Sequence, residues 1–341
     1  MNKMRKYVYA LAALLALSFV SCEDDPELKE SMAGFIYINA PQFVMLGDEI
    51  EMETGGVGAV SKITYSWTGD LIKNSSLKID TIVDATKLKL TVGGTPGPQS
   101  LIVYAEADGY YKRQLSTSIN VLSRDTDKAL IGPDFEGCEK MTDARDGKSY
   151  YYTKAGDLYW FSQNLSWEEK GTSYGHLDAL QEVFGSLYTW NEATGGVSAS
   201  GLGGGPQGVC PEGWSVPTRE DWENLAGALS GEQMDFDGVW PGLGEKVTVE
   251  ALLNDIKVWP FSLQHHSRNM FKWNALACGY GNVMSDYFNA LMERGMWWSS
   301  TQQSDKIGLY RYIYYDESSF PYAGTDKSDM MVSVRCVKKI K

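Results

Sequence analysis

The sequence predicts a multidomain chain in which an N-terminal all-β sandwich precedes a larger C-terminal α+β domain. Three observations carry this reading. Residues 33–123 hold short alternating runs broken by turns, the period-two pattern of half-buried strands. Residues 124–140 are polar and turn-rich, with Gly132-Pro133 among them, and read as a linker. Residues 141–341 carry most of the 11 tryptophans, one clearly written helix and further alternating strands. A length of 341 residues suits two domains of ~100–200 residues, each large enough to bury a core.

The first segment is an address. Lys3, Arg5 and Lys6 form a basic head, residues 7–20 are apolar, and Ser21 precedes Cys22, which is the pattern of an export signal over residues 1–21. The apolar run falls short of the roughly 20 residues that span a bilayer. Phe19-Val20-Ser21-Cys22 resembles a bacterial lipobox, which implies acylation of Cys22 and cleavage in front of it. Glu23-Asp24-Asp25-Pro26-Glu27 resembles the acidic export tag of Bacteroidetes lipoproteins, which implies an outer-membrane, lipid-anchored protein facing the exterior. Residues 22–32 then read as an acidic tether.

In the next segment Ile63, Tyr65 and Trp67 share one strand face, and Leu88, Leu90 and Val92 share another. Turn signals fall at Gly55-Gly56, Gly69-Asp70, Gly93-Gly94 and Pro96-Gly97-Pro98. Roughly seven strands in about 90 residues fit a sandwich. The stretch Ile63-Thr64-Tyr65-Ser66-Trp67-Thr68-Gly69-Asp70, with Tyr104 to Tyr111 later, resembles the immunoglobulin-like modules of bacterial surface proteins, which implies a spacer. It holds no cysteine, so core packing alone must hold it.

In the C-terminal segment residues 195–208 are too rich in glycine to order inside an element and read as a loop; without a closing Lys-Ser or Lys-Thr they are no phosphate loop. Thr218 with Asp221 three residues on forms a capping box; Trp222, Leu225, Ala226 and Leu229 follow at helical spacing, with Gly231 as the stop. A second helix is expected from Thr248, with Val249, Leu252, Leu253 and Ile256 on one face. Strands return where Tyr310, Tyr312 and Tyr314 alternate with Leu309, Arg311 and Ile313. In the last strand Val332, Val334 and Cys336 share a face.

Composition narrows the function. A net charge of −13, more negative once the basic head is removed, disfavours nucleic acid, anionic headgroups and strongly anionic polysaccharides. Neutral glycans and protein partners remain, with the lipid anchor as the membrane contact. Three histidines and no H-E-x-x-H pattern speak against a metal hydrolase. Cys138, Cys210, Cys278 and Cys336 form an even set that favours disulfides in an exported protein, with three connectivities open.

Several blocks resemble the Fibrobacter succinogenes major paralogous domain family. They are Asp143-Ala144-Arg145-Asp146-Gly147-Lys148-Ser149-Tyr150, Asp157-Leu158-Tyr159-Trp160 with Gln163-Asn164-Leu165, and Leu187-Tyr188-Thr189-Trp190-Asn191-Glu192-Ala193. The most specific is Cys210-Pro211-Glu212-Gly213-Trp214-Ser215-Val216-Pro217-Thr218 with Asp221-Trp222. Phe271 to Gly281, Trp297-Trp298-Ser299-Ser300-Thr301 and Val334-Arg335-Cys336-Val337-Lys338 complete the set. The same blocks are similar to a C-type-lectin-like framework. That resemblance implies a disulfide between Cys210 and Cys336, leaving Cys138 and Cys278 as the other pair. It also implies ligand contact in the loops at about 232–296, which carry Trp240, Trp259, His265, His266, Arg268 and Trp273.

An aromatic ring can carry the apolar face of a pyranose while nearby polar groups take its hydroxyls. Trp259-Pro260-Phe261 followed by residues 264–269 offers both. The calcium triplets of lectins are absent, since Trp273-Asn274 is followed by Ala275. Asp143 and Asp146, or Asp235 and Asp237, read as solvated turn residues, too few for calcium's 6–8 oxygen ligands. The formylglycine-generating enzymes share the framework but need free cysteines, and no Ser-His-Asp set is present. The expectation is therefore a non-catalytic surface head without metal or cofactor, binding a neutral glycan. The alternative is an adhesive or structural protein that meets a surface protein.

Overall fold

The computed structural model describes residues 29–123, 130–167, 169–230, 239–262 and 265–340. The export signal, the lipidation expected at Cys22, the helix stop at Gly231, and Asp235 and Asp237 lie outside the described residues. Among the described residues no helix is long and apolar enough to cross a membrane.

The N-terminal part builds two sheets. In chain order its strands are β1 (Ala33–Asn39), β2 (Phe43–Met45), β3 (Glu49–Gly58), β4 (Thr64–Thr68), β5 (Thr81–Val83), β6 (Lys87–Thr91), β7 (Gly97–Glu106) and β8 (Arg113–Leu122). One sheet runs β1-β3-β6 and the other β2-β8-β7-β4-β5. The chain thus crosses between sheets over residues 40–42, and β2 lies parallel to the end of β8, with Phe43 opposite Asn120. The expected alternation places Tyr65, Trp67, Leu88, Leu90 and Val92 in a common core with Leu101, Val103 and Ile119. Trp67 is fully enclosed and its indole N–H donates to the Ala85 carbonyl at 2.7 Å, so the ring is buried without an orphaned donor.

Two expectations shift here. Gly55-Gly56 lies within β3 beside a register break in its pairing with β1, so it marks a bulge rather than a turn. A Cβ on Gly56 would sit 2.2 Å from the Phe35 carbonyl oxygen, which is why glycine stands there. The tether ends before residue 30, because Glu30 bridges to Tyr110 and Met32 is buried in the sandwich core.

The C-terminal part is also β-rich. Its strands are β9 (Leu130–Ile131), β10 (Glu139–Thr142), β11 (Ser149–Ala155), β12 (Leu158–Phe161), β13 (Tyr188–Thr189), β14 (Leu252–Leu253) and β15 (Ile256–Lys257). They continue with β16 (Cys278–Asn282), β17 (Tyr287–Leu291), β18 (Arg294–Gln302), β19 (Ile307–Tyr314), β20 (Tyr322–Asp326), β21 (Met330–Val332) and β22 (Val337–Lys339). The sheets run β10-β11-β12-β22, β13-β21-β16-β17, β18-β19-β20 and β15-β14-β9. Residues 130–140, expected in a linker, therefore supply β9 and the start of β10. Cys336 sits between β21 and β22 rather than within a strand, and residues 330–337 are buried without alternation.

The expected helix forms at Arg219–Ser230. Thr218 Oγ1 accepts from the Asp221 N–H at 3.2 Å while Asp221 Oδ2 accepts from the Thr218 N–H at 2.8 Å, which completes the capping box. Trp222, Leu225, Ala226 and Leu229 turn inward as expected. Trp222 meets Trp160 at 4.8 Å, and Trp273 meets Trp297 at 5.1 Å, within an aromatic core closed by Phe320. Aromatic pairs in tilted and edge-on contact add about 0.5–1.5 kcal/mol each beyond their burial.

The sandwich is docked on this second core. Phe43, Met45 and Leu122 belong to the C-terminal core, and Phe43 lies edge-on to Tyr174 at 6.3 Å.

Candidate functional site

The site begins with a turn. The expected helix from Thr248 does not form; Leu252 pairs with Lys257 and Leu253 with Ile256 across a two-residue hairpin. Asn254 and Asp255 both have left-handed backbone (φ 47 and 66). Asn and Asp tolerate that conformation, and such a turn matches the twist of paired strands, whereas no helix continues through it. On its other side β14 pairs with β9. Gly132 follows β9 so closely packed that a Cβ would lie 2.1 Å from the Glu250 carbonyl oxygen. The hairpin and residues 131–132 therefore form one wall.

A groove of about 460 Å³ opens between this wall and residues 259–262 and 265–267. Ala251, Leu252 and Trp259 contribute apolar surface, and Phe261 stands over it 73% exposed. Glu250 and Lys257 contribute one charge of each sign, with His266 and Ser267 beside them. Such a lining suits an uncharged, amphipathic ligand better than an ion. Trp259 is nearly enclosed at the groove: it is 6% exposed, its indole N–H donates to the Ala275 carbonyl at 3.0 Å, and its ring stacks on His265 at 5.6 Å.

His265 is buried and held at both nitrogens. Nδ1–H donates to the Glu317 carbonyl at 3.0 Å, and in the neutral ring that burial favours Nε2 accepts from the Thr248 hydroxyl at 2.8 Å. Burial, ahead of the other influences, holds its pKa below the ordinary 6.5. A proton then goes first to the unfolded chain, so the stability this ring contributes is full above pH 6.5 and is lost as pH falls through the folded pKa. The melting temperature of the wild type should therefore fall between pH 7.5 and 5 more steeply than that of His265→Gln. Equal slopes would remove the assignment.

Other expected site residues fall elsewhere. Trp240 and Trp273 are core, at 2% and 0% exposure, so neither is a platform. Trp240 packs under the Arg311 guanidinium, 3.5 Å from the ring centroid, and Trp273 packs under that of Arg335 at 4.1 Å. Arg268 lies outside the groove and pairs with Glu245 at 2.9 Å. Asp143 is buried rather than solvated, and its carboxylate takes the Arg145 fork at 2.6–3.1 Å.

Cys210 and Cys336 are bonded, with Cα atoms 5.8 Å apart. Cys138 and Cys278 are not bonded, contrary to the expected second pair. Cys278 is fully enclosed, its sulfur lies 3.8 Å from the Met296 carbonyl oxygen, and burial raises its pKa, so it behaves as a small apolar residue. Cys138 lies 3.6 Å from the Ser162 hydroxyl.

The sequence does not reveal Glu250, Lys257 and residues 131–132 as site residues, because 248–256 reads as a helix and 124–140 as a linker. The Asn254-Asp255 dipeptide between apolar residues was the available signal for a turn.

The family model of the Fibrobacter succinogenes major domain matches residues 153–338, more than half of the chain. No curated protein matches. Among solved structures, the Yersinia pseudotuberculosis adhesin InvE aligns over 90% of this chain and 70% of its own at 9% identity. Its TM-score of 0.24 is too low for the likeness to carry an argument.

Proposed function

The chain belongs to the Fibrobacter succinogenes major domain family, and from that premise we propose that its C-terminal part is a non-catalytic binding head for a neutral glycan. In this proposal the head has a C-type-lectin-like frame and is carried by an immunoglobulin-like module. The chain is a lipoprotein anchored at Cys22 in the outer membrane, facing outward. The observation that carries the ligand class is Phe261, 73% exposed over a groove whose two opposite charges balance. A pyranose laid on that ring would bury its apolar face, and Glu250, Lys257 and Ser267 in the lining support this reading as partners for its hydroxyls.

The test uses the full chain and an array of neutral glycans. Phe261→Ala should weaken binding roughly tenfold, about 1.4 kcal/mol, with an unchanged melting temperature because the ring is exposed. A blank array, or unchanged affinity in the variant, defeats this reading. Trp259→Ala is the poorer probe, since removing a buried Trp costs roughly 3–5 kcal/mol of stability and confounds the two effects.

A second reading, an adhesive surface that meets a protein, draws on Val283 and Met284, exposed by 51% and 89% at the turn between β16 and β17.

A further inference from the structure

A second cleft, also about 460 Å³, lies where the sandwich meets the C-terminal part. That volume is within the roughly 300–1,000 Å³ usual for small-molecule sites. One wall is the sheet-crossing segment from Asn39 to Phe43; the other is the turn at 174–177 with the start of β17. Aromatic rings form a continuous floor: Phe43 lies edge-on to Tyr174 at 6.3 Å, and Tyr174 tilts against Phe288 at 5.4 Å. Tyr287 stands at the rim, 51% exposed.

The polar groups are few and placed together. His176 Nε2 meets Asp286 Oδ1 at 2.7 Å, and the imidazole lies edge-on to Phe288 at 5.1 Å. Both His176 and Asp286 have left-handed backbone, φ 58 and 48, an uncommon conformation that the two turns hold so that the side chains face each other. The exposed amides of Asn39 and Gln42 line the opposite wall, able to donate and accept.

This chemistry selects among ligands. An anion would meet the Asp286 carboxylate. A wholly apolar ligand would desolvate the imidazole–carboxylate pair and two amides without replacing their hydrogen bonds with water. A ring with an apolar face and several hydroxyls satisfies both floor and rim. We propose that this cleft is a second binding site, for a neutral saccharide, distinct from the groove under Phe261. The sandwich is then part of the binding unit, because Asn39, Gln42 and Phe43 supply one wall and the cleft exists only while the two parts are docked.

The experiment measures an array of neutral oligosaccharides against the full chain as wild type, Tyr287→Ala, His176→Ala and Phe261→Ala. All three side chains are largely exposed, so the melting temperatures should agree. At least one glycan should bind tenfold more weakly to both Tyr287→Ala and His176→Ala. A glycan held at the cleft alone keeps its affinity in Phe261→Ala; one long enough to reach both sites loses affinity in all three. If no retained glycan depends on Tyr287 and His176, the second site is overturned, whatever Phe261→Ala does. Dependence on Phe261 alone leaves the groove standing without the cleft, and dependence on Tyr287 and His176 alone does the reverse.

Discussion

Arg335→Ala should lower the unfolding free energy by about 3–5 kcal/mol, from buried acceptors left without donors at about 1–3 kcal/mol each and from the void where the side chain was. Arg335 is 1% exposed and, among the described residues, no carboxylate pairs with it. Its charge is met by oxygens instead. Nε donates to Asn164 Oδ1 at 2.7 Å, Nη1 to the carbonyls of Phe161 (3.2 Å) and Trp273, and Nη2 to the Asn274 carbonyl at 2.9 Å. Burial lowers its pKa to about 9, which still leaves it protonated at neutral pH. Asn164 extends the network, for the same Oδ1 accepts the Trp297 indole N–H at 2.8 Å and its amide donates to the Phe184 carbonyl at 2.7 Å. Truncation would leave these oxygens without the donors they face and a void over Trp273. Arg335→Lys should recover only part of the loss, because one ammonium cannot reproduce the planar fork. Urea unfolding followed by tryptophan fluorescence measures both variants, and a loss below 1 kcal/mol in Arg335→Ala would show that water replaces the guanidinium at no cost.

Much of this architecture is legible where a local rule decides it. Thr218 and Asp221 write their capping box within four residues, and Tyr65 with Trp67 or Leu88 with Leu90 write their strand faces by alternation. The family is legible for a related reason: its blocks are short runs with fixed order. What the sequence hides is nonlocal. Trp240, Trp259 and Trp273 are one residue type in one loop-rich stretch, and their separation into core and groove edge depends on what packs over each ring. Arg335 over Trp273 comes from the segment between β21 and β22 and Arg311 over Trp240 from β19, so no window around the tryptophans contains the answer. The stretch 248–257 misleads differently. Its apolar residues fit a helical stripe as well as a hairpin, and two left-handed residues, Asn254 and Asp255, decide between them. The junction cleft has no signature at all, because Gln42, His176 and Asp286 meet only after two separate parts of the chain dock.

The disulfide should give the other large effect. Cys210 and Cys336 are 126 residues apart in sequence, and closing a loop of that length restricts the unfolded chain by ~4–5 kcal/mol in the chain-entropy model. Both cysteines lie in the core cluster that holds Trp190, Trp214 and Trp298, so the loss falls on the unfolded chain and also on the hold that the bond gives the closing segment. The double variant Cys210→Ser with Cys336→Ser should therefore unfold at lower urea than the wild type. Peptide mapping without reductant should recover Cys138 and Cys278 as alkylatable thiols and Cys210 only as a cross-linked peptide; a free Cys210 would refute the bond. Because Cys336 follows Arg335 directly, the two losses should not add. An open disulfide frees the segment that holds the guanidinium, so Arg335→Ala should cost less in the Ser/Ser background than in the bonded chain. A cycle measured in urea would give that coupling directly, and strict additivity would mean that the bond and the buried arginine hold the closing segment independently.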